Sequence, residues 1–114
     1  MDKLVTLKKN REFSLVYNRG RSYSTKNLVL IYLPRKYGQV KAGFSVSKKV
    51  GKSVMRNKKR RQLKECFRHY LPRVAKPAHI VFIARMPIAQ ADFQEIRGDM
   101  GYLLKRFDLL TRKK

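Results

Sequence analysis

Cysteine and histidine are scarce in this sequence, and their scarcity excludes several kinds of site. Cys66 is the single cysteine, so no disulfide can form within the chain, and a reducing, cytoplasmic location is expected. The two histidines, His69 and His79, and the few carboxylates are not clustered, whereas zinc and transition-metal sites need several such ligands together. We therefore expect no metal ion or other cofactor to be bound by the protein alone.

Long apolar runs are missing as well. Residues 1–11 lack the apolar core of a secretory signal peptide, and the longest apolar run, residues 28–33, is far too short to span a bilayer. The chain contains no repeat, no low-complexity segment and no Gly/Ser-rich linker between domains. We expect one domain over residues 1–114 that is neither exported nor inserted in a membrane.

Acidic residues are also few. The chain has 7 Asp and Glu against 29 Lys and Arg, a formal net charge of +22, and such self-repulsion indicates a polyanionic partner. Between Lys41 and Arg68 there are eleven basic residues and one acid, Glu65, so the charge is concentrated in one part of the chain. Hydrophobic residues make up 43% of the sequence, which favours a packed fold over a disordered basic tail.

The hydrophobic periodicity predicts both helices and strands. The expected elements are, in order, a helix over residues 11–19 with Asn10 as its N-cap, two or three strands including antiparallel ones over 27–33 and 40–46, a helix over 55–71, a strand over 79–85, and a last helix carrying the apolar residues between Phe93 and Phe107. This order is typical of an α+β fold in which helices pack against a sheet.

The second predicted helix carries much of the charge on one face. At 100° per residue, five polar side chains fall within a sector of about 100°, namely Asn57, Arg60, Arg61, Lys64 and Arg68. The neighbouring sector holds apolar residues that can pack on the sheet. Three more cations, Arg56, Lys58 and Lys59, are expected in the first turn, where they oppose the helix dipole. A solvated basic face is the alternative, but ordinary surfaces mix both signs of charge.

The central run of the chain resembles a known family signature. Residues 44–67, FSVSKKVGKSVMRNKKRRQLKECF, are similar to the signature of the bacterial ribonuclease P protein family, in which a strand ending in Ser and Lys leads through a Gly turn into an Arg-Asn-Arg-like helix. The resemblance extends from residues 7–10 and Phe13 to residues 83–85. It implies a single domain of αβββαβα order with a mixed sheet and a left-handed βαβ crossover, like the second domain of ribosomal protein S5.

The resemblance also implies a function and its partners. Proteins of this family are subunits of a ribonucleoprotein endonuclease that removes the 5′ leader from precursor tRNA, and the RNA supplies the active site with Mg²⁺. The implied partners are therefore the ribonuclease P RNA and precursor tRNA, with one monomeric protein for each catalytic RNA. Charge pattern and resemblance together predict a phosphate-binding set comprising Lys48, Lys49, Lys52, Arg56, Asn57, Lys58, Lys59, Arg60, Arg61, Lys64 and Arg68.

A cleft for the single-stranded leader is implied beside the first helix. Its predicted residues are Phe13, Tyr17, Ile31, Ser45 and Ser47, with Ile31 standing where some relatives have an aromatic residue. An exposed ring in such a cleft can stack on an unpaired base. Aromatic residues four positions apart on an amphipathic helix are, however, usually core residues, so packing is the alternative role for Phe13 and Tyr17.

No catalytic set is predicted in the protein itself. Cys66 lies on the apolar face and is expected to be a packed thiol. Asp92, Glu95 and Asp99 are expected on a solvated face of the last helix. The alternatives left open are a ribosomal or RNA-assembly protein that clamps structured RNA, an architectural DNA-binding protein, and, least favoured, a protein nuclease that needs no RNA.

Overall fold

A computed structural model of the chain describes residues 4–111. Its main elements are β1 (Val5–Thr6), α1 (Asn10–Arg19), β2 (Arg21–Ser24), β3 (Leu28–Pro34), β4 (Lys41–Ser45), α2 (Ser53–Tyr70), β5 (Ala78–Ala84) and α3 (Phe93–Arg106), with short 3₁₀ turns at Leu71–Arg73 and Met86–Gln90. The predicted α+β class is confirmed, and the αβββαβα order is present with β1 added in front of it. Within residues 4–111, no helix is both long and apolar enough to cross a membrane.

The five strands form one mixed sheet in the order β1-β4-β5-β3-β2. Strand β5 is central, pairing parallel with β4 and antiparallel with β3. Strands β3 and β4 therefore run in opposite directions, as predicted, but β5 lies between them. Helix α2 connects the parallel neighbours β4 and β5, which is the expected βαβ unit; its left hand stays a prediction from the resemblance.

The sheet is covered on both faces. Alternation along β5 places Ile80 and Phe82 in the larger core and Val81 in a smaller one. The larger core is built with α2 and α3, which contribute residues such as Phe67 and Met100. The smaller core contains Val16 of α1. Helix α1 thus lies on the opposite face of the sheet from α2 and α3.

Two helix starts differ from the expectation. Asn10 is the first residue of α1 and not its N-cap, which is Lys9. The Glu12 carboxylate closes this end of the helix by accepting hydrogen bonds of 3.2 Å from the backbone N–H groups of Lys8 and Lys9. Helix α2 begins at Ser53 and not at residue 55, which places Lys58 and Lys59 beyond the first turn.

The acids of α3 are solvated only in part, since Asp92 and Glu95 are exposed as predicted, Asp99 is partly buried, and all three accept hydrogen bonds. Asp92 caps α3 by accepting a 2.8 Å hydrogen bond from the N–H of Glu95. The side-chain amide nitrogen of buried Asn27 donates to both Glu95 and Asp99 at 2.9 Å. Thr25 donates its hydroxyl to Asp99 at 3.0 Å. These carboxylates therefore anchor α3 to the turn between β2 and β3.

Candidate nucleic-acid interface

Helix α2 separates an apolar face from a basic one. Leu63, Cys66, Phe67 and Tyr70 are buried against the sheet and α3. Of the predicted phosphate-binding residues on α2, Asn57, Lys58, Arg61 and Arg68 are exposed, whereas Arg56, Arg60 and Lys64 are partly exposed. The predicted sectors are thus found in the structure, and seven of the eight residues predicted on this helix have access to solvent.

Most cations on this face lack a protein counter-ion. Arg68 bonds to Glu65 at 2.7 Å, but both side chains are more than half exposed. Arg60 donates to the side-chain oxygen of Asn57 at 2.9 Å, which leaves its charge uncompensated. In residues 4–111 the only other ion pair joins Lys41 to Glu12, away from this helix. The basic face therefore keeps a strong positive potential that a polyanion can neutralise.

Lys59 is the exception on α2, and its predicted role is corrected. The residue is 4% exposed, and its Nζ donates a 2.8 Å hydrogen bond to the carbonyl oxygen of Ala91. Burial, followed by the charge of Lys58, lowers the pKa of Lys59 from its usual value. Lys59 joins α2 to the residue before the α3 cap, so its ammonium is not part of the exposed basic face.

A groove of about 550 Å³ runs beside the basic face. It is lined by Lys58, Arg61, Gln62, Lys64, Glu65, Arg68 and Phe93. Four cations thus surround a depression with an aromatic ring at one side, a chemistry suited to a phosphodiester backbone. Phe93 was not predicted here, because its helical spacing indicated core packing and no local signal links it to α2.

A smaller pocket connects this surface to α1. It has a volume of about 150 Å³ and is lined by Thr6, Leu7, Phe13, Gly43, Phe44, Arg60 and Lys64. The structure therefore brings a predicted cleft aromatic and two predicted phosphate-binding residues together, although they are about 50 residues apart in the chain.

The two aromatic residues of α1 occupy different environments. Phe13 is partly buried, and its ring lies so close to β4 that a Cβ at Gly43 would be 2.6 Å from its Cζ atom. Tyr17 is 45% exposed, with its ring centroid 6.4 Å from that of Phe13. The Phe13 ring is thus largely taken up by packing against β4, whereas the Tyr17 ring is accessible to a ligand.

The remaining cleft residues divide between core and surface. Ile31 is 9% exposed and belongs to the small core with Val16 beneath α1, so its predicted leader contact is corrected to a packing role. Ser45 ends β4 and is partly buried, whereas Ser47 is exposed. Both therefore lie at the entrance to the basic loop that leads into α2.

The basic loop between β4 and α2 holds its lysines outward. Lys48, Lys49 and Lys52 are exposed, while Val50 between them is buried. A turn is closed by hydrogen bonds from the N–H of Val50 to the carbonyl oxygen of Ser47 and from Gly51 to Lys48, at 3.1 and 3.2 Å. The buried valine thus fixes the loop, and the three charges extend the basic face beyond the start of α2.

The cysteine is a packed thiol, as predicted. Cys66 is fully buried in the core beneath α2. Burial raises its pKa to about 11, so the thiol is neutral at physiological pH and is not a nucleophile.

Comparison with known proteins gives a consistent result. The family model described as Ribonuclease P matches residues 1–108. The chain is 40% identical over 112 residues to the ribonuclease P protein component of Caldanaerobacter subterraneus subsp. tengcongensis, covering 98% of this chain and 97% of that protein. It is 46% identical over 101 residues to the same component of Clostridium botulinum, covering 88% and 91% of the two chains.

Solved structures agree with the sequence comparison. The fold matches the RNase P protein of Staphylococcus aureus with a TM-score of 0.86 and 29% identity, over 96% of this chain and 100% of that one. It matches the RNase P protein of Thermotoga maritima with a TM-score of 0.80 and 30% identity, over 89% and 96%. Sequence and fold together show that this chain belongs to the ribonuclease P protein family.

Proposed function

We propose that this chain is the RNA-binding protein subunit of a ribonuclease P, which binds the catalytic RNA and the 5′ leader of precursor tRNA. Family membership supports the role in tRNA 5′ processing. The single observation that carries the finer proposal is the joining of two surfaces: the cationic groove of α2 continues, through the pocket at Arg60 and Lys64, to Phe13 on α1.

Charge supplies the affinity in this proposal. Lys and Arg side chains that contact phosphates release condensed counterions, so RNA binding weakens linearly with salt on a log–log scale. The cations on α2 and in the preceding loop are mostly free of carboxylate partners within residues 4–111. Little intramolecular pairing must therefore be broken when RNA binds.

Leader recognition is assigned to the aromatic flank of α1. Tyr17 presents an accessible ring, and stacking of a base on an aromatic ring tolerates any sequence because every base has a π-face. The cations beside Phe13 can hold the adjoining phosphates. This combination suits a leader whose sequence varies from one precursor tRNA to another.

The chemistry of hydrolysis is assigned to the RNA. Phosphodiester hydrolysis needs carboxylates that hold metal ions or groups that transfer protons. In the part of the chain that the structure describes, Glu95 and Asp99 of α3 accept hydrogen bonds from Asn27 and lie away from the basic face. The proposal is that Mg²⁺ acts in the RNA active site, and that one protein monomer aligns the substrate on each catalytic RNA.

Reconstitution with a ribonuclease P RNA tests this function. The expected result is faster cleavage at the tRNA 5′ end and tighter binding of precursor tRNA than of mature tRNA when the chain is added. A ribosomal or assembly protein would affect both RNAs equally, and an architectural DNA-binding protein would bind duplex DNA as well as structured RNA. Cleavage by the chain alone would instead reveal a protein nuclease.

A further inference from the structure

Helix α1 has a second flank that the leader proposal does not use. Val16 faces the sheet, and Phe13 and Tyr17 lie on one side of that contact. At 100° per residue, Arg11 and Arg19 each point about 140° away from the mean direction of this aromatic pair, on the other side of Val16. They face the connection between β3 and β4.

Two adjoining depressions separate this flank from that connection. The larger, of about 550 Å³, is lined by residues that include Leu15, Arg19, Leu33, Arg35, Lys36 and Tyr37. The smaller, of about 380 Å³, is lined by Arg11, Glu12, Leu15, Arg35 and His79. Because both include Leu15 and Arg35, they form one continuous depression, which we call the β3–β4 groove.

The β3–β4 groove is strongly cationic. Its basic residues are Arg11, Arg19, Arg35 and Lys36. None of them forms an ion pair with a carboxylate within residues 4–111. The one acid in the groove, Glu12, already bonds to the N–H groups of Lys8 and Lys9 and to the Lys41 ammonium at 3.4 Å. The four charges are therefore available to an anionic ligand.

Aromatic and apolar surface accompanies this charge. Tyr37 is 85% exposed at the rim, and the partly buried side chains of Leu15 and Leu33 form the floor. An exposed aromatic ring beside unpaired cations is the arrangement with which proteins bind single-stranded nucleic acid, since bases stack on the ring while phosphates meet the charges. An RNA duplex would leave the Tyr37 ring without an unpaired base on which to stack.

A buried polar atom provides a second sign of a ligand. The Nδ1 atom of His79, in the smaller depression, is buried and has no hydrogen-bond partner among the described residues. Burial and the charge of Arg35 lower the pKa of His79, so its ring is neutral near pH 7 and can accept or donate one hydrogen bond at this atom. A nucleotide hydroxyl or base in the smaller depression would supply that partner only after the side chains that cover this atom move.

We propose that the β3–β4 groove binds a second stretch of unpaired RNA, with phosphates on its four cations and a base stacked on Tyr37. This inference rests on the proposed function, because it takes RNA as the polyanion. Two sources can supply the strand: an unpaired segment of the catalytic RNA, or the upstream part of a long leader. Helix α1 would then have RNA along both flanks.

The test uses exposed residues with matched controls. Tyr37→Ala and Arg35→Ala alter the β3–β4 groove, and Tyr102→Ala and Lys105→Ala remove an exposed tyrosine and lysine from α3 on the opposite face of the sheet. Binding is measured to ribonuclease P RNA alone, and by the holoenzyme to precursor tRNA with a short or a long leader. Melting temperatures show that each variant is folded.

Tyr37→Ala is expected to weaken binding about 5- to 150-fold and Arg35→Ala about tenfold or more, whereas the controls should change binding little. Tyr37→Phe should retain binding, because stacking needs only the ring. A loss seen with the RNA alone identifies the catalytic RNA as the source, and a loss confined to the long leader identifies the precursor. If both groove variants bind RNA as tightly as the controls while Arg61→Ala on α2 binds weakly, the proposal of RNA binding in the β3–β4 groove is refuted and the proposed function is not. Wild-type binding by Arg61→Ala as well would overturn both.

Discussion

Tyr17→Ala separates leader recognition from general RNA affinity. Stacking of a leader base on this ring is worth about 1–3 kcal/mol, which corresponds to about 5- to 150-fold in the dissociation constant of precursor tRNA. We expect this loss in the reconstituted holoenzyme with a long leader. Binding of mature tRNA and assembly with the catalytic RNA should stay close to wild type, because the cations of α2 are untouched.

The structure limits what the same substitution can cost in folding. The Tyr17 side chain is 45% exposed, so truncating it removes about half of a buried aromatic contribution, roughly 1 kcal/mol. Its ring also contacts Phe13 at a centroid distance of 6.4 Å. Tyr102→Ala on α3 is the matched control, since that tyrosine is 53% exposed and lies on the other face of the sheet.

The assay compares two affinities and one melting curve. Dissociation constants are measured for precursor tRNA and for mature tRNA, which has no leader, with wild type, Tyr17→Ala and Tyr102→Ala, and the melting temperature of each free protein is measured as well. A purely structural Tyr17 would lower the melting temperature and weaken binding of every RNA in parallel. An unchanged ratio of precursor to mature affinity would refute the stacking argument for this residue.

Three further predictions follow from the charged groups. Arg61→Ala should weaken RNA binding by about 1–3 kcal/mol and flatten the log–log salt dependence by about one unit, without changing the melting temperature; a wild-type slope in a salt titration would contradict this. Lys59→Ala should lower the free energy of unfolding by about 1–3 kcal/mol, because it opens a cavity and leaves the Ala91 carbonyl without its donor. The control Lys58→Ala should weaken RNA binding and leave folding unchanged. Equal melting temperatures of the two variants would refute this distinction. Hydrogen bonds from the backbone N–H groups of Lys9 and Lys8 lower the pKa of Glu12 from 4.5 to about 2. The stabilising effect of the Glu12 carboxylate is therefore present above pH 4.5 and is lost as the pH falls toward 2. Glu12→Gln should therefore melt below wild type at pH 7, with a difference that disappears near pH 2; a constant difference across that range would exclude the carboxylate as its cause.

The parts of the fold predicted from sequence are those determined by local pattern. Helical periodicity located α2 and its apolar face, including Leu63 and Phe67, and the concentration of cations indicated a polyanion. The position of β5 between β3 and β4, with which it pairs on either side, depends on long-range contacts that periodicity does not encode. The short strands β1 and β2 have too few residues to show an alternation.

The individual site residues were harder to predict for the same reason. Lys59 falls between exposed cations in sequence, and only the approach of the Ala91 carbonyl shows that it is buried. Ile31 is covered by α1, which crosses the sheet above it. Glu95 and Asp99 look like a polar helix face until Asn27, about 70 residues away in sequence, is placed against them. In each case a distant part of the chain determines the role of the residue.

The central claim is that this chain recognises the leader while the RNA performs the hydrolysis. The most direct measurement compares the affinity of ribonuclease P RNA for precursor and for mature tRNA, with and without the chain, at one fixed salt and Mg²⁺ concentration. The account predicts that adding the chain tightens precursor binding several-fold more than mature binding, and that the chain alone cleaves neither RNA. Equal tightening of both RNAs, or cleavage of precursor tRNA by the chain without the RNA, would contradict it.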